Sequence, residues 1–203
     1  MSPIPDGNLE GQQLLRNRVI AALEYGHESE SVEVKESAPW EVLKYKIAKT
    51  VMAMSNQRDG GLLIIGVAEG KTGWEFSGVS SEHLATYDAD DIVDFINRFA
   101  SPALRPTIVR VTRDVDYVAI DIHEFRETPT VCKREGLNLR EGDVYVRSAG
   151  KPATTRIMHA GMMHELLELA AEKRARRMIE VSKRLGLEMH SGPSAYEKER
   201  EGL

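Results

Sequence analysis

Glu28, Glu33 and Glu69 are the side chains of this 203-residue sequence whose types and spacing suit joint chemistry. Three carboxylates drawn to one point repel one another unless a cation lies between them. An all-oxygen set of this kind suits Mg²⁺ or Mn²⁺. A metal so held polarises a phosphodiester and generates hydroxide from water. Lys35, two residues beyond Glu33, is placed to stabilise charge on the phosphate in the transition state. Glu30 and Glu36 are spare acids of the same stretch. The same residues also read as a solvated acidic loop, and spacing alone favours that reading, because exposed glutamates are the norm.

The basic residues cluster twice. Lys44, Lys46 and Lys49 share one helical segment, and Lys173, Arg174, Arg176 and Arg177 share another, with Lys183 and Arg184 beyond them. Arg147 and Lys151 lie between these clusters in sequence. Any of these can track a phosphate backbone. They fit ordinary solvated helix faces equally well, with Glu165, Glu168 and Glu172 as partners. Trp74, Tyr117 and Tyr145 suit base stacking but fit the core better.

Two apparent motifs fail on spacing. Gly66-Val67-Ala68-Glu69-Gly70-Lys71-Thr72 has three residues between its glycines where a phosphate-binding loop needs four, and no helix is expected after it. His164-Glu165-Leu166-Leu167-Glu168 lacks the second histidine of a zinc-protease helix.

The positioning elements follow from periodicity. A helix is expected over 9–25, stopped by Gly26. Ser31 to Glu36 alternates, which puts Val32 and Val34 on one face, and Glu33 with Lys35 on the other, away from the core. Pro39 suits the start of a helix whose stripe of Trp40, Leu43, Ile47, Val51 and Met54 runs down to Asn56. Residues 61–68 form a wholly apolar run, a strand buried on both faces that delivers Glu69 to its exit. Trp74 and Phe76 suggest a short partner strand, and Gly78 to Tyr87 reads as loop. Asp88 can cap a helix to about Ala100 with Ile92, Val93, Ile96 and Phe99 inside. Strands are expected at 107–113 and 117–122, around 130–133 and at 143–147, with a loop at 148–151. From 154 to 187 the pattern is helical, as one helix or two, and residues 1–8 and 190–203 read as loose ends.

Hydrophobic content of 41%, charged content of 29% and a net charge of −5 describe an ordinary globular chain. The negative balance excludes an all-over basic coat, though not a local basic face. One cysteine, Cys132, forbids an internal disulfide and a cysteine-built zinc site. No apolar run spans a membrane, and the polar N-terminus is no signal peptide, so the expected location is the cytoplasm.

One order of residues carries a family resemblance. Glu28-Ser29 and Glu33-x-Lys35 come first, then a helix ending in Ser55-Asn56, then Gly60-Gly61-Leu62-Leu63-Ile64-Ile65-Gly66-Val67-Ala68-Glu69. Gly78-Val79, the Ile92 helix with Ser101-Pro102, and Tyr145-Val146-Arg147-Ser148-Ala149-Gly150 complete it. This resembles the Schlafen-type AlbA domain, also labelled divergent AAA, over about residues 25–155. The resemblance implies an α+β fold: a mixed or mostly antiparallel sheet packed by helices, with a C-terminal helical extension. The matching division is an N-terminal helix at 1–24, the AlbA-like domain at 25–153, the extension at 154–189 and a tail at 190–203. In Schlafen ribonucleases it implies a three-carboxylate metal site that cuts tRNA or other structured RNA. Glu28 and Glu33 match the first two acids by spacing, and Glu69 falls at or next to the third, which those enzymes supply as Asp. The animal proteins pair two such lobes into a basic trough, so a single lobe implies a homodimer or higher oligomer.

The leading expectation is therefore a Mg- or Mn-dependent endoribonuclease of defence or stress, with Glu28, Glu33 and Glu69 on the metal and Lys35 assisting. RNA is the expected partner, with DNA as the alternative. A second reading is a non-catalytic nucleic-acid-binding regulator. A third is an assembly subunit that docks a partner through its C-terminal helix.

Overall fold

The computed structural model describes residues 9–71, 73–148 and 153–186. The readings of 1–8 and 190–203 as loose ends, and Lys151, lie outside them. Along the chain come α1 (Leu9–Tyr25), β1 (Val32–Lys35), α2 (Trp40–Ser55), β2 (Gly61–Ile65), β3 (Ala68–Gly70) and β4 (Gly73–Glu75). Next are α3 (Ser81–Leu84), α4 (Ala89–Phe99), β5 (Ala100–Ser101), β6 (Thr107–Thr112) and β7 (Asp116–Ile122). β8 (Val131–Cys132), β9 (Tyr145–Arg147), β10 (Thr154–Arg156) and α5 (Ala160–Arg184) complete the α+β fold.

The main sheet is mixed, in the order β1-β2-β7-β6. β1 and β2 run parallel, joined across α2, and the other two pairings are antiparallel. Helices cover both faces, which is why β2 reads as an unbroken apolar run. Leu63 and Ile65 join the core under α2 and α4. Leu62 and Ile64 face the other way, onto Leu15, Val19 and Leu23 of α1. Most helical stability in a protein comes from packing an apolar face, so these three buried side chains, worth about 1.5–3 kcal/mol each, hold α1 in place.

Trp40, the first residue of α2, donates its N–H to Thr86 Oγ1 at 2.9 Å. Asp88 caps α4 by accepting the N–H groups of Asp90 and Asp91. Phe95 takes the buried place expected for Val93, which is only partly covered.

Several expectations are corrected. The strand expected at 61–68 is two strands, since β2 ends at Ile65 and β3 turns away to pair with β4. The segment 78–87, expected to be loop, contains α3. Thr154–Arg156 is strand, not helix, because it pairs antiparallel with β9. The helical stretch is one helix, Ala160–Arg184, anchored on the body by Leu166 and Leu169 against Phe125. No described helix is long and apolar enough to cross a membrane.

Candidate functional site

The three acids do line one cleft. It has a volume of about 480 Å³, and Glu28, Glu33, Lys35, Lys46 and Glu69 border it together with Thr154. β1 supplies Glu33 and Lys35, α2 supplies Lys46, β3 supplies Glu69, and the turn before β1 supplies Glu28. Val32 and Val34 pack on one face of β1 as alternation requires, and Glu33 and Lys35 form an ion pair on the other. That other face is interior, not solvent: Glu33 is buried.

Glu33 has both oxygens engaged. Oε1 pairs with Lys35 Nζ and accepts the Thr50 hydroxyl at 3.1 Å. Oε2 pairs with Arg147 Nη1. Arg147 is expected from the sequence to be a phosphate contact; its side chain is only 1% exposed, and it is an internal counterion instead. Its remaining donors reach Glu30 O at 3.2 Å, Ser29 O at 3.3 Å and Thr154 Oγ1 at 3.3 Å. A charge buried this deeply is retained only when paired and hydrogen-bonded, and this one is both.

Glu28 is half-buried and accepts the Val34 N–H at 2.9 Å. Burial pushes its carboxyl above the ordinary value of 4.5, and the nearby charges of Glu33 and Glu69 push the same way against Val34 and Lys35. A raised carboxyl favours the folded state most below its unfolded value, and that advantage is lost as pH rises through the folded value. Glu28→Gln mimics the protonated form and keeps an acceptor for Val34. It is therefore expected to melt slightly above the native protein at pH 7, with the gap closing below pH 4.5. Melting curves at both pH values check this, and a loss of stability at pH 7 would contradict it.

The Mg²⁺ or Mn²⁺ expectation meets a poor donor set. Among the described residues no three His, Cys, Asp or Glu side chains come together closely enough to hold a metal. Glu33, the acid deepest in the cleft, already has a cation on each oxygen. The residues as arranged do not fit a three-carboxylate metal centre.

The basic residues scatter. Lys46 borders the cleft. Lys44 pairs with Glu41 and lies 5.2 Å over the Phe95 ring, and Lys49 lies 5.0 Å over the Tyr145 ring. On α5, Lys173 pairs with Glu124 and Arg177 with Glu127, while Arg174 and Arg176 are exposed. Tyr145 and Tyr117 are core residues, as expected.

Thr50, which organises this region, is not singled out by the sequence, and Asn56 is read there only as the end of the α2 helix, not for its bonds. Asn56 bridges the end of α2 to two later segments, donating to Thr130 O at 2.8 Å and Tyr145 O at 2.9 Å and accepting the Thr130 N–H at 2.7 Å. Thr50 supports Glu33. The signal that could have found them is a polar residue inside each buried stripe, which must find a partner.

No curated protein matches the chain. Among solved structures, the DIP2311 protein of Corynebacterium diphtheriae is similar at 18% identity and a TM-score of 0.50. That match covers 76% of this chain and 28% of the other, so the chain spans little more than a quarter of the protein it matches. At this identity it supports the fold alone. The N-terminal domain of an ATP-dependent DNA helicase RecG-related protein of Nitrosomonas europaea matches at 20% identity and a TM-score of 0.43, covering 71% of this chain and 96% of that one. A likeness that loose carries no weight. The family model described as Schlafen, AlbA_2 matches residues 28–154, from the first acid of the cleft to Thr154. Well over half of the sequence is thus accounted for, and the chain belongs to the Schlafen AlbA_2 family.

Proposed function

We propose that this chain is a nucleic-acid-binding module that holds its ligand without cutting it. Family membership supports the nucleic-acid part. The engagement of Glu33 by Arg147, Lys35 and Thr50 carries the rest, because it ties the central acid into the fold. Phosphate contacts fall to Lys44, Lys46 and Lys49 of α2, with Lys46 at the cleft. With a net charge of −5, such binding is local and strongly salt-dependent.

The test is incubation of the protein with total tRNA, single-stranded DNA and duplex DNA in Mg²⁺, Mn²⁺ or EDTA, read for fragments and for gel shifts. The expected result is intact nucleic acid in every lane with a salt-sensitive shift. Replacing all three lysines by Ala should flatten the plot of log K against log salt by up to about 2–3 for duplex DNA. No shift with any ligand, or an unchanged slope, overturns this reading.

One observation favours a metal-dependent endoribonuclease as second reading: Glu28, Glu33, Glu69 and Lys35 share one cleft. Glu69 is exposed, so Glu69→Ala removes one acid without disturbing the interior. Metal-dependent RNA fragments that vanish with Glu69→Ala would establish cutting.

A further inference from the structure

We propose that His83 controls phosphate binding in the cleft through Ser37, so that the ligand is held more tightly when His83 carries a proton. The inference rests on the nucleic-acid reading and names a control on that same site. Ser37 borders the cleft together with Lys46. Lys46 is exposed and makes no ion pair among the described residues, which leaves its ammonium to a phosphate. Ser37 is the neutral group beside it. Its Oγ lies 2.8 Å from Nδ1 of His83 on α3. The same oxygen accepts the Ser80 N–H at 3.2 Å, and Ser80 Oγ accepts the His83 N–H at 3.2 Å. Thr86 donates its hydroxyl to His83 O at 2.6 Å and accepts the Trp40 N–H. These bonds tie α3 to the loop that leads from β1 into α2.

Proton counting gives the control. A serine hydroxyl has one proton and two acceptor lone pairs. Ser80 takes one lone pair of Ser37. A neutral imidazole whose Nδ1 is bare takes the hydroxyl proton, and Ser37 then has nothing to donate to a phosphate oxygen. An imidazolium has a proton on each nitrogen, so its Nδ1 can only donate. It fills the second lone pair of Ser37 and leaves the hydroxyl proton to point into the cleft. The same protonation sets a positive charge one hydrogen bond away from that donor. Histidine is the side chain that makes this change between about pH 5 and pH 8. By linkage, a phosphate that prefers the charged ring also draws a proton onto it. His83 is thus a positioning residue that acts through Ser37.

The segments that meet at His83 bring Glu82 on α3, Glu36 on the loop, and Tyr87, which burial holds protonated. Glu28, Glu33, Lys35 and Glu69 line the rest of the cleft. His83 forms no ion pair with any of them. Glu28, its carboxyl pushed up by burial, also gains a proton as pH falls, and a polyanion gains from that as well. The histidine is therefore read from a comparison of pH profiles, not from affinity at one pH.

Fluorescence anisotropy of labelled tRNA, single-stranded DNA and duplex DNA, at constant ionic strength from about pH 8 to about pH 5.5, gives those profiles. Wild type is expected to gain at least about fivefold more affinity over that range than His83→Gln, the low end of coupling between linked sites. Ser37→Ala should lose the extra gain although it keeps the histidine, and Ser37→Thr should restore it with the hydroxyl. A merely structural histidine would change affinity equally at every pH and leave the profiles parallel. Circular dichroism checks that each variant folds, and Ser37→Ala against Ser37→Thr carries the same comparison if His83→Gln does not. Parallel profiles for all the folded proteins overturn this proposal and leave the nucleic-acid reading in place. No binding of any probe at any pH overturns that reading, and this one with it.

Discussion

Arg147→Met is expected to lower stability by about 3–5 kcal/mol, the usual cost of removing one partner of a buried ion pair. For a chain of this size that is a fall in melting temperature of roughly 6–20 °C. Both side chains are buried, at 1% and 8% exposure, so solvent does little to replace the lost partner. Lys35 stays on Glu33 and softens the loss, but Lys35 is partly exposed and reaches only Oε1. The carbonyls of Ser29 and Glu30 lose their donors as well. Removing both partners undoes most of the loss. Glu33→Leu with Arg147→Met removes both charges together and is expected to regain most of the stability, since the desolvation cost disappears along with the attraction. Urea unfolding followed by circular dichroism measures all three proteins. A single variant within about 1 kcal/mol of wild type would mean that Arg147 is not an internal counterion. If it kept full stability but lost nucleic-acid affinity, Arg147 would return to being a phosphate contact.

That pairing marks where the sequence stops being legible. α2, β2 and α4 are readable because their signals are local: a stripe, an apolar run, a capping aspartate. Alternation correctly sets Glu33 beside Lys35 and puts Val32 with Val34. It cannot show that α2, through Thr50, and β9, through Arg147, cover the Glu33 face, because the ion pair spans 114 positions of chain. Thr154–Arg156 fails for the same reason, as three residues carry no strand signal of their own and gain it only from β9. The family resemblance bridges this gap. It links Glu28 to Arg147 without knowledge of any contact, and the match over residues 28–154 agrees with that span. It cannot say which charges around the cleft are already spoken for, and on that point the nuclease and binding readings divide.

Gly60→Ala is expected to be the most damaging single-methyl change in the loop that links α2 to β2. Gly60 has φ +66°, and a Cβ there would lie 1.8 Å from the Ile122 carbonyl oxygen and 2.9 Å from the Glu124 nitrogen. Both are backbone atoms, so no side chain can rotate aside. The adjoining Gly61–Ile122 pair opens the β2–β7 ladder, and moving it disturbs strands that are buried on both faces. Gly142 separates the two parts of the cost. It has φ +84° and nothing within 4 Å of where an added methyl would lie, so Gly142→Ala meets only the left-handed backbone penalty of about 1–2 kcal/mol. Gly60→Ala meets that penalty and the collision, and should exceed the other by at least about 3 kcal/mol, in the range reached by few single substitutions. Urea titration of the two variants side by side gives the difference directly. Equal losses would mean that the loop can back away from β7. A large gap would establish that the close approach at Gly60 sets the start of β2, and through it the place where β3 presents Glu69 to the cleft.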